Sequence, residues 1–482
     1  MSPNKKSFYI TTTLPYVNAP LHMGHALEFV RADIIARSKK LQDFDVFFNT
    51  GTDEHGMKNY EKAKEKNMDV KDFVDQGFET FKEQLKMFGI SDDVHFIRTT
   101  DKHHKNAAQE FWKIVRDNGY IYKKNYQAKY CVGCESEKTD SELNEKGECE
   151  IHPGRPLELI KEENYFFKYS AFENKLLDFY EKNPNFIVPD FRFNEIKNFV
   201  KNGLQDFSIS RLKSKMPWGI SVPGDEEHVM YVWFDALVNY ISTLGWPENT
   251  EQFEKYWING NPTQYCGKDN TRFQGAMWQA MLMAAGLSNS YQIIVDGFIT
   301  GEGGIKMSKS LGNVADPKEI AKEYGTDALR FFLAKEISNF EDSPFTMERF
   351  KDAYNSGLAN GLGNLASRIL TLSEKYLEKC PEIGFADFTE YFGFFEKFDI
   401  KQAVDYVWNE IGKLDKFIQD TEPFKVVKVD EKKGKELISD MVLHLYQIAR
   451  MLNPIMPETN ALLKKLIKEN KKPEKPLFPR KD

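Results

Sequence analysis

Residues 7–13, SFYITTT, form a run of β-favouring side chains that stops at the turn LPYVNAP, which predicts a buried strand. Directly afterwards, Ala26, Phe29, Val30, Ile34, Ile35 and Leu41 recur near the helical period, predicting a helix over 24–41. DVFFNTGTDEHG (45–56) predicts a second short strand that ends in a polar, glycine-bearing loop. Strand, turn, helix and strand open a doubly wound α/β domain, in which ligands bind beyond the carboxyl ends of the strands. From 121 to 163 the chain turns polar, Glu/Lys-rich and cysteine-bearing, and 118–225 reads as an insertion. Apolar runs at VMYVWFDAL (229–237) and YQIIVDGFIT (291–300) predict that strands return. From about 346 the Leu/Ile/Phe spacing is heptad-like, with Pro423, Pro454 and Pro457 as punctuation, which predicts a helical bundle.

Composition narrows this picture. A length of 482 residues suits two to four domains, and 41% hydrophobic with 29% charged residues fits a soluble globular protein. The net charge of −7 leaves a nucleic-acid partner open, because that needs only a local basic face. MSPNKKSFYITTT lacks an apolar signal core and no segment reaches about 18 apolar residues, so a cytoplasmic protein with no membrane partner is expected. Three of five cysteines cluster, which in a reducing compartment argues for metal over disulfide.

Three elements carry chemistry. The first is PLHMGHALEFVRAD, where His22 and His25 flank Gly24 at the start of the expected helix. A helix N-terminus offers unpaired N–H groups and a positive dipole end, and imidazoles there suit a shifting phosphate charge. The second is GEGGIKMSKSLGN (301–313), with Lys306 and Lys309 beside glycines in a loop suited to closing over a polyphosphate. The third is C-x2-C-x14-C-x2-H, formed by Cys131, Cys134, Cys149 and His152. Two tight pairs match structural Zn2+, and a full set of four ligands leaves no open catalytic position. Gly133 and Gly147 permit the turns this needs. His103–His104 lacks partners at metal spacing and reads as a solvated helix face.

HMGH after the first strand, together with KMSKS after a late one, resembles the signature pair of class I aminoacyl-tRNA synthetases. With LPYVNAPLHMGH, TGTDEHG, the single zinc knuckle, YVWFDALVNY, GKD, KMSKSLGN, GLGNLASR and LFPR, the chain resembles the methionyl-tRNA synthetases along nearly its whole length. The resemblance implies a Rossmann-like doubly wound parallel sheet split by a small zinc-binding insertion and followed by an α-helical anticodon-binding bundle. Expected boundaries are 1–117 and 226–300 for the catalytic halves, 118–225 for the insertion, 301–345 for the loop and stem-contact region, and 346–482 for the bundle.

The activity it implies is ATP-dependent, Mg2+-assisted formation of methionyl-adenylate, then transfer to the terminal ribose of tRNA(Met), the initiator included. His22, Gly24, His25, Glu28, Gly267, Asp269, Val295 and Lys309 would then contact ATP, with His22, His25, Lys306 and Lys309 catalytic. Asp53 would hold the methionine ammonium, with Leu14 and Tyr16 nearby. Trp233, Leu237, Tyr240, Phe273, Gln274 and Trp278 would enclose the thioether, where sulfur meets aromatic edges favourably. Asn364 and Arg368, one helical turn apart, and Phe424 would read the CAU anticodon. A monomer is expected, because the chain stops soon after LFPR.

Four positions depart from the family pattern. Gln274 stands for a usual His, Gln279 for Pro, Asp296 for His and Phe424 for a stacking Trp. Gln274 keeps donors and acceptors but cannot titrate, and Phe424 keeps a stacking face without the indole N–H. Roughly 110 residues between the sheet halves leave no room for the large editing insertion of the Leu, Ile and Val enzymes. A cysteine enzyme would be expected to put its zinc ligands in the amino-acid pocket. A small-molecule nucleotidyltransferase leaves the helical third unexplained, and intact His22, His25, Lys306 and Lys309 argue against a non-catalytic paralogue.

Overall fold

A computed structural model describes residues 5–133, 136–138, 142–304, 315–384 and 386–481. The chain divides into two compact units. One comprises residues 1–21, 46–83 and 93–295; the other comprises 22–45, 84–92 and 296–482.

The first unit is built on a six-stranded sheet of β1 (Ser7–Thr12), β2 (Asp45–Thr52), β3 (His95–Arg98), β4 (Ile187–Val188), β5 (Pro262–Gly267) and β6 (Gln292–Asp296), ordered β3-β2-β1-β5-β6-β4. Pairing is parallel between β1 and β5, β2 and β3, and β6 and β4. The strand order reverses between β1 and β5, the switch point at which doubly wound sheets bind ligands. The central strand β5 and the edge strands β3 and β4 carry no pattern long enough to stand out in the sequence. β4 is two residues contributed from within the insertion.

The insertion holds a four-stranded antiparallel sheet dominated by the pairing of Ile121–Cys131 with Glu158–Phe167. The expected strand over 229–237 is corrected. Asp225–Met230 is a strand, but of a small antiparallel sheet, and Val232–Ala236 is a helix. Its residues are apolar because most of them are buried, and an apolar run buried on all sides has no periodicity to separate helix from strand.

In the second unit the helix Met23–Leu41 lies with the helices that follow residue 315. Buried arginines explain this grouping. Arg330 is fully buried, pairs with Asp33 at 2.7 Å and donates to the carbonyls of Phe88, Gly89, Pro454 and Ile455. The expected bundle follows, with Ile400–Thr421 and Glu431–Met451 as its longest helices and Pro423 and Pro457 at first-turn positions. Among the described residues no helix is long and apolar enough to cross a membrane.

Candidate active site and metal cluster

Several of the residues expected around the amino acid follow the carboxyl ends of β1, β2 and β5. Leu14 and Tyr16 follow β1 and Asp53 follows β2; Tyr16 and Asp53 form a parallel bridge, with the Asp53 N–H donating to Pro15 O at 3.0 Å. Asp53 is buried, and Asn59 Nδ2 holds its carbonyl at 3.0 Å. Trp233, on the helix Val232–Ala236, lies flat against Phe273, with centroids 3.9 Å apart and planes 3° from parallel. Leu237 and Tyr240 are buried one and two turns on. Trp278 is fully buried in an aromatic core with Phe111, Tyr240 and Trp257. After β5, Gly267 leads into the turn Lys268–Asn270; a Cβ at Gly267 would lie 3.0 Å from Asp269 Oδ1. Val295 is fully buried in β6.

Gln274 and Gln279 belong to one buried polar network. Gln274 Nε2 donates to Thr13 Oγ1 at 3.0 Å, and Gln274 Oε1 accepts from Gln264 Nε2 at 3.2 Å. Gln279 Nε2 donates to the Gln274 carbonyl at 2.9 Å and to Ser290 Oγ at 3.0 Å, and Ser290 Oγ in turn bonds Gln264 Oε1. Two of the departures from the family pattern therefore support each other. Both Gln274 amide ends are engaged by protein atoms, which locks its rotamer beside Phe273.

The reading of His103–His104 as a solvated helix face is corrected for His104, while His103 is half-exposed. His104 is fully buried, with Nδ1 2.9 Å from Ser242 Oγ and Nε2 3.3 Å from Asp235 Oδ1. The other Asp235 oxygen lies 2.9 Å from His55 Nδ1. Burial pushes the Asp235 carboxyl up, but His55 and His104 outweigh it and hold it below the usual carboxylate range. The sequence carried no signal for this cluster, because its members lie in three separate segments, each polar residue set in its own motif.

In the second unit, His22 is the N-cap of Met23–Leu41, and its imidazole does the capping. Its Nδ1 accepts from Gly24 N at 3.1 Å and His25 N at 3.4 Å, while His25 Nδ1 accepts from His22 N at 3.2 Å. The rings stack with centroids 3.8 Å apart. Two of the helix-terminal N–H groups expected to face an anion are taken up by the His22 imidazole nitrogen. Desolvation first, and the neighbouring His22 second, hold His25 well below the ordinary imidazole range, which keeps its Nδ1 an acceptor. A Cβ at Gly24 would lie 3.0 Å from His22 Cε1, so a larger residue there would press on the capping ring. Glu28 is buried one turn on.

Asp296, the third departure, is the buried counter-ion of Arg31 at 2.9 Å. That guanidinium also donates to the carbonyls of Leu333, Ile337, Ser338 and Asn339. Gly303 and Gly304 take left-handed φ of 69° and 78°, a conformation that favours glycine. Lys306 and Lys309 lie outside the described residues. Asn364 is exposed at the start of Asn364–Tyr376, Arg368 pairs with Asp415 at 2.8 Å, and Phe424 is 39% exposed.

The ligand atoms of Cys131, Cys149 and His152 all lie within 4.8 Å of one another, and Cys131 Sγ is 3.8 Å from His152 Nδ1. Bonds of about 2.3 Å to sulfur and 2.0 Å to nitrogen around a tetrahedral ion put neighbouring ligands roughly 3.5–4 Å apart, so these donors fit zinc. Cys134 lies outside the described residues. Gly147 has a left-handed φ of 75°, whereas Gly133 serves close approach: a Cβ there would meet the His152 ring at 2.6 Å.

The sequence profile of the family described as "tRNA synthetases class I (M)" matches residues 8–152 and 141–370. A methionine–tRNA ligase of Caldanaerobacter subterraneus subsp. tengcongensis is 42% identical over 94% of this chain and 73% of its own length. One of Rickettsia felis is 38% identical over 96% of this chain and 92% of its own. A solved structure of Mycobacterium tuberculosis methionyl-tRNA synthetase in complex with methionyl-adenylate superposes with a TM-score of 0.91 at 34% identity, covering 98% of this chain and 100% of that one. The apo form of that enzyme gives 0.83 at 31% identity, over 100% and 99% of the two chains.

Proposed function

The chain belongs to the methionyl-tRNA synthetase family of class I tRNA synthetases, and from that premise we propose which of its residues carry each step. The enzyme activates methionine with ATP as methionyl-adenylate and charges tRNA with the methionyl group. In the first step a methionine carboxylate oxygen attacks the α-phosphorus in line. The bond to the bridging oxygen breaks, and pyrophosphate leaves with that electron pair. In the second, a 3′-terminal ribose hydroxyl of tRNA attacks the methionyl carbonyl carbon, the bond from that carbon to the phosphate oxygen breaks, AMP leaves with the electron pair, and the hydroxyl proton is released. Little covalent help is needed, so positioning and charge stabilisation carry the catalysis.

Asp53 takes the ammonium group, and Leu14, Tyr16, Trp233, Leu237, Tyr240, Phe273 and Trp278 enclose the side chain. Gln274, next to Phe273 in the chain and tied to Thr13 and Gln264, joins them around the methionine side chain. Gly267, Asp269, Val295 and Glu28 attend the adenosine, with Asp269 accepting ribose hydroxyls. His22 and His25 donate through Nε2 to the ATP phosphates, which arrive as the Mg2+ complex, and Lys306 and Lys309 neutralise the departing pyrophosphate. Asn364, Arg368 and Phe424 read the anticodon of tRNA(Met), initiator tRNA included. Cys131, Cys134, Cys149 and His152 would hold one Zn2+, which would supply a cross-link between the two tight pairs. The segments 1–117 and 226–300 act as the catalytic halves, 118–225 as the insertion, 301–345 as the loop and stem-contact region, and 346–482 as the anticodon domain. The working form is a cytoplasmic monomer, and a dimer in light scattering overturns that part.

The observation that carries this reading is the pair of stacked imidazoles whose Nδ1 atoms cap their own helix, leaving Nε2–H as the donor in each neutral ring. The test is ATP–pyrophosphate exchange with each of the twenty amino acids and no tRNA. Exchange with methionine alone is expected. Exchange with another amino acid moves the pocket assignment. No exchange from a zinc-replete sample, established by metal analysis, overturns the catalytic reading.

A further inference from the structure

Asp53 and Trp233, which the proposed function sets against opposite ends of methionine, belong to different segments. A buried charge chain joins those segments two residues from each. Asp235 stands on the same short helix as Trp233, and His55 on the same loop as Asp53. The Asp235–His55 contact at 2.9 Å is fully enclosed, with side-chain exposures of 0% and 2%. On the far side, His104 receives the second Asp235 oxygen and is itself anchored by Ser242. The loop has little other freedom. Glu54 is clamped by Arg98 Nε and Nη2 at 2.7 and 2.9 Å, and its carbonyl accepts from Trp218 Nε1 at 2.7 Å. Asn59 holds the carbonyls of both Asp53 and His55.

We infer that the buried chain His55–Asp235–His104 sets the spacing between the ammonium-binding loop and the aromatic wall, and so makes these three positioning residues for amino-acid selection. This rests on Asp53 and Trp233 being methionine ligands. A carboxylate held between two imidazoles has both oxygens committed, so it cannot rotate or translate without losing a bond in a dry setting, where an unpaired charge is costly. The loop and the helix therefore move as one piece, and the amino-acid end of the site is pre-organised without any of the three touching substrate. The side-chain hydrogen bonds of His55, Asp235 and His104 run to one another and to Ser242, not to Gly267 or Asp269 beside β5, so methionine recognition is affected more than ATP recognition.

The experiment is methionine-dependent ATP–pyrophosphate exchange by the full chain carrying His55→Leu, His55→Asn, Asp235→Asn and His104→Gln. His55→Asn places an amide N–H where Nδ1 stood, and His104→Gln does so for Nε2. Expected for His55→Leu and Asp235→Asn is a tenfold or greater rise in the KM for methionine with the KM for ATP within twofold. The preference in kcat/KM for methionine over norleucine should fall in both, His55→Asn should recover most of the loss, and His104→Gln should stay near the parent. If a folded His55→Leu enzyme shifts both KM values equally, or neither, the inference is overturned. Should Asp235→Asn fail to fold, the His55 pair decides alone. Asp53→Asn and Trp233→Ala run alongside: unchanged KM for methionine in those two refutes the pocket reading, whereas raised values there with unaffected His55→Leu refute the spacing role only.

Discussion

His22 holds two functions on two nitrogens, and one substitution separates them. Its Nδ1 caps the helix Met23–Leu41 by accepting from Gly24 N and His25 N, and its Nε2–H is the proposed phosphate donor. Asparagine places Oδ1 the same number of bonds from the backbone as Nδ1, and it is among the best N-caps, but it has nothing at the Nε2 position. His22→Ala loses both functions. The cap is worth about 1 kcal/mol, which for a unit of this size corresponds to a melting shift of about 2 °C. A phosphate donor used in the transition state is worth about 2.7–4 kcal/mol, or roughly 10²–10³-fold in kcat. His22→Asn should therefore melt like the parent yet lose activity as fully as His22→Ala, which should also melt lower. Calorimetry and pyrophosphate exchange on the three proteins read the two effects. Activity of His22→Asn within about threefold of the parent would refute the donor role, and equal melting of all three would refute the cap. The cap also has a pH signature. An unfolded imidazole titrates near about 6.5, whereas the fold holds His25 well below that. Below about 6.5 the unfolded chain binds the extra proton, so this contribution to stability is complete above that pH and is lost as the pH falls toward the folded value.

Gln274→Ala removes the acceptor that Gln264 Nε2 has in a buried setting, at about 1–3 kcal/mol, and the donor to Thr13 Oγ1. Lower melting and a raised KM for methionine are expected, and a kcat/KM equal to the parent's would exclude Gln274 from any role in the pocket. Arg330→Met strips Asp33 of a buried partner and should cost about 3–5 kcal/mol in denaturant unfolding; a loss below about 1 kcal/mol would show that Arg37 and Ser91 suffice to hold that carboxylate. Metal analysis should find one zinc per chain, and Cys149→Ser should lower that occupancy and loosen the insertion to protease; full occupancy in the variant would remove Cys149 from the ligand set. Phe424→Ala should raise the KM for tRNA while leaving pyrophosphate exchange unaltered, and an unchanged KM would end its assignment to the anticodon.

The elements that the sequence by itself determined are those whose signal is local. The helix from Met23, the strands Ser7–Thr12 and Asp45–Thr52 and the proline-punctuated bundle each come from residues within a few turns of one another, and the Cys/His signal comes from two tight pairs inside one short segment. The motif pair at His22–His25 and Lys306–Lys309 belongs to the same class, since each is a continuous string. Tertiary structure alone decided the rest. Pro262–Gly267 is a central strand because β1 and β6 flank it, and Val232–Ala236 is a helix although its apolar run looks like a strand. Asp296 answers Arg31 across 265 residues, Gln274 and Gln279 answer Gln264 and Ser290, and His104 is buried because Asp235 and Ser242 receive it. A buried polar side chain is stable only with a partner, and the partner's identity depends on which segments the fold brings together, so neither spacing nor composition along the chain can announce it.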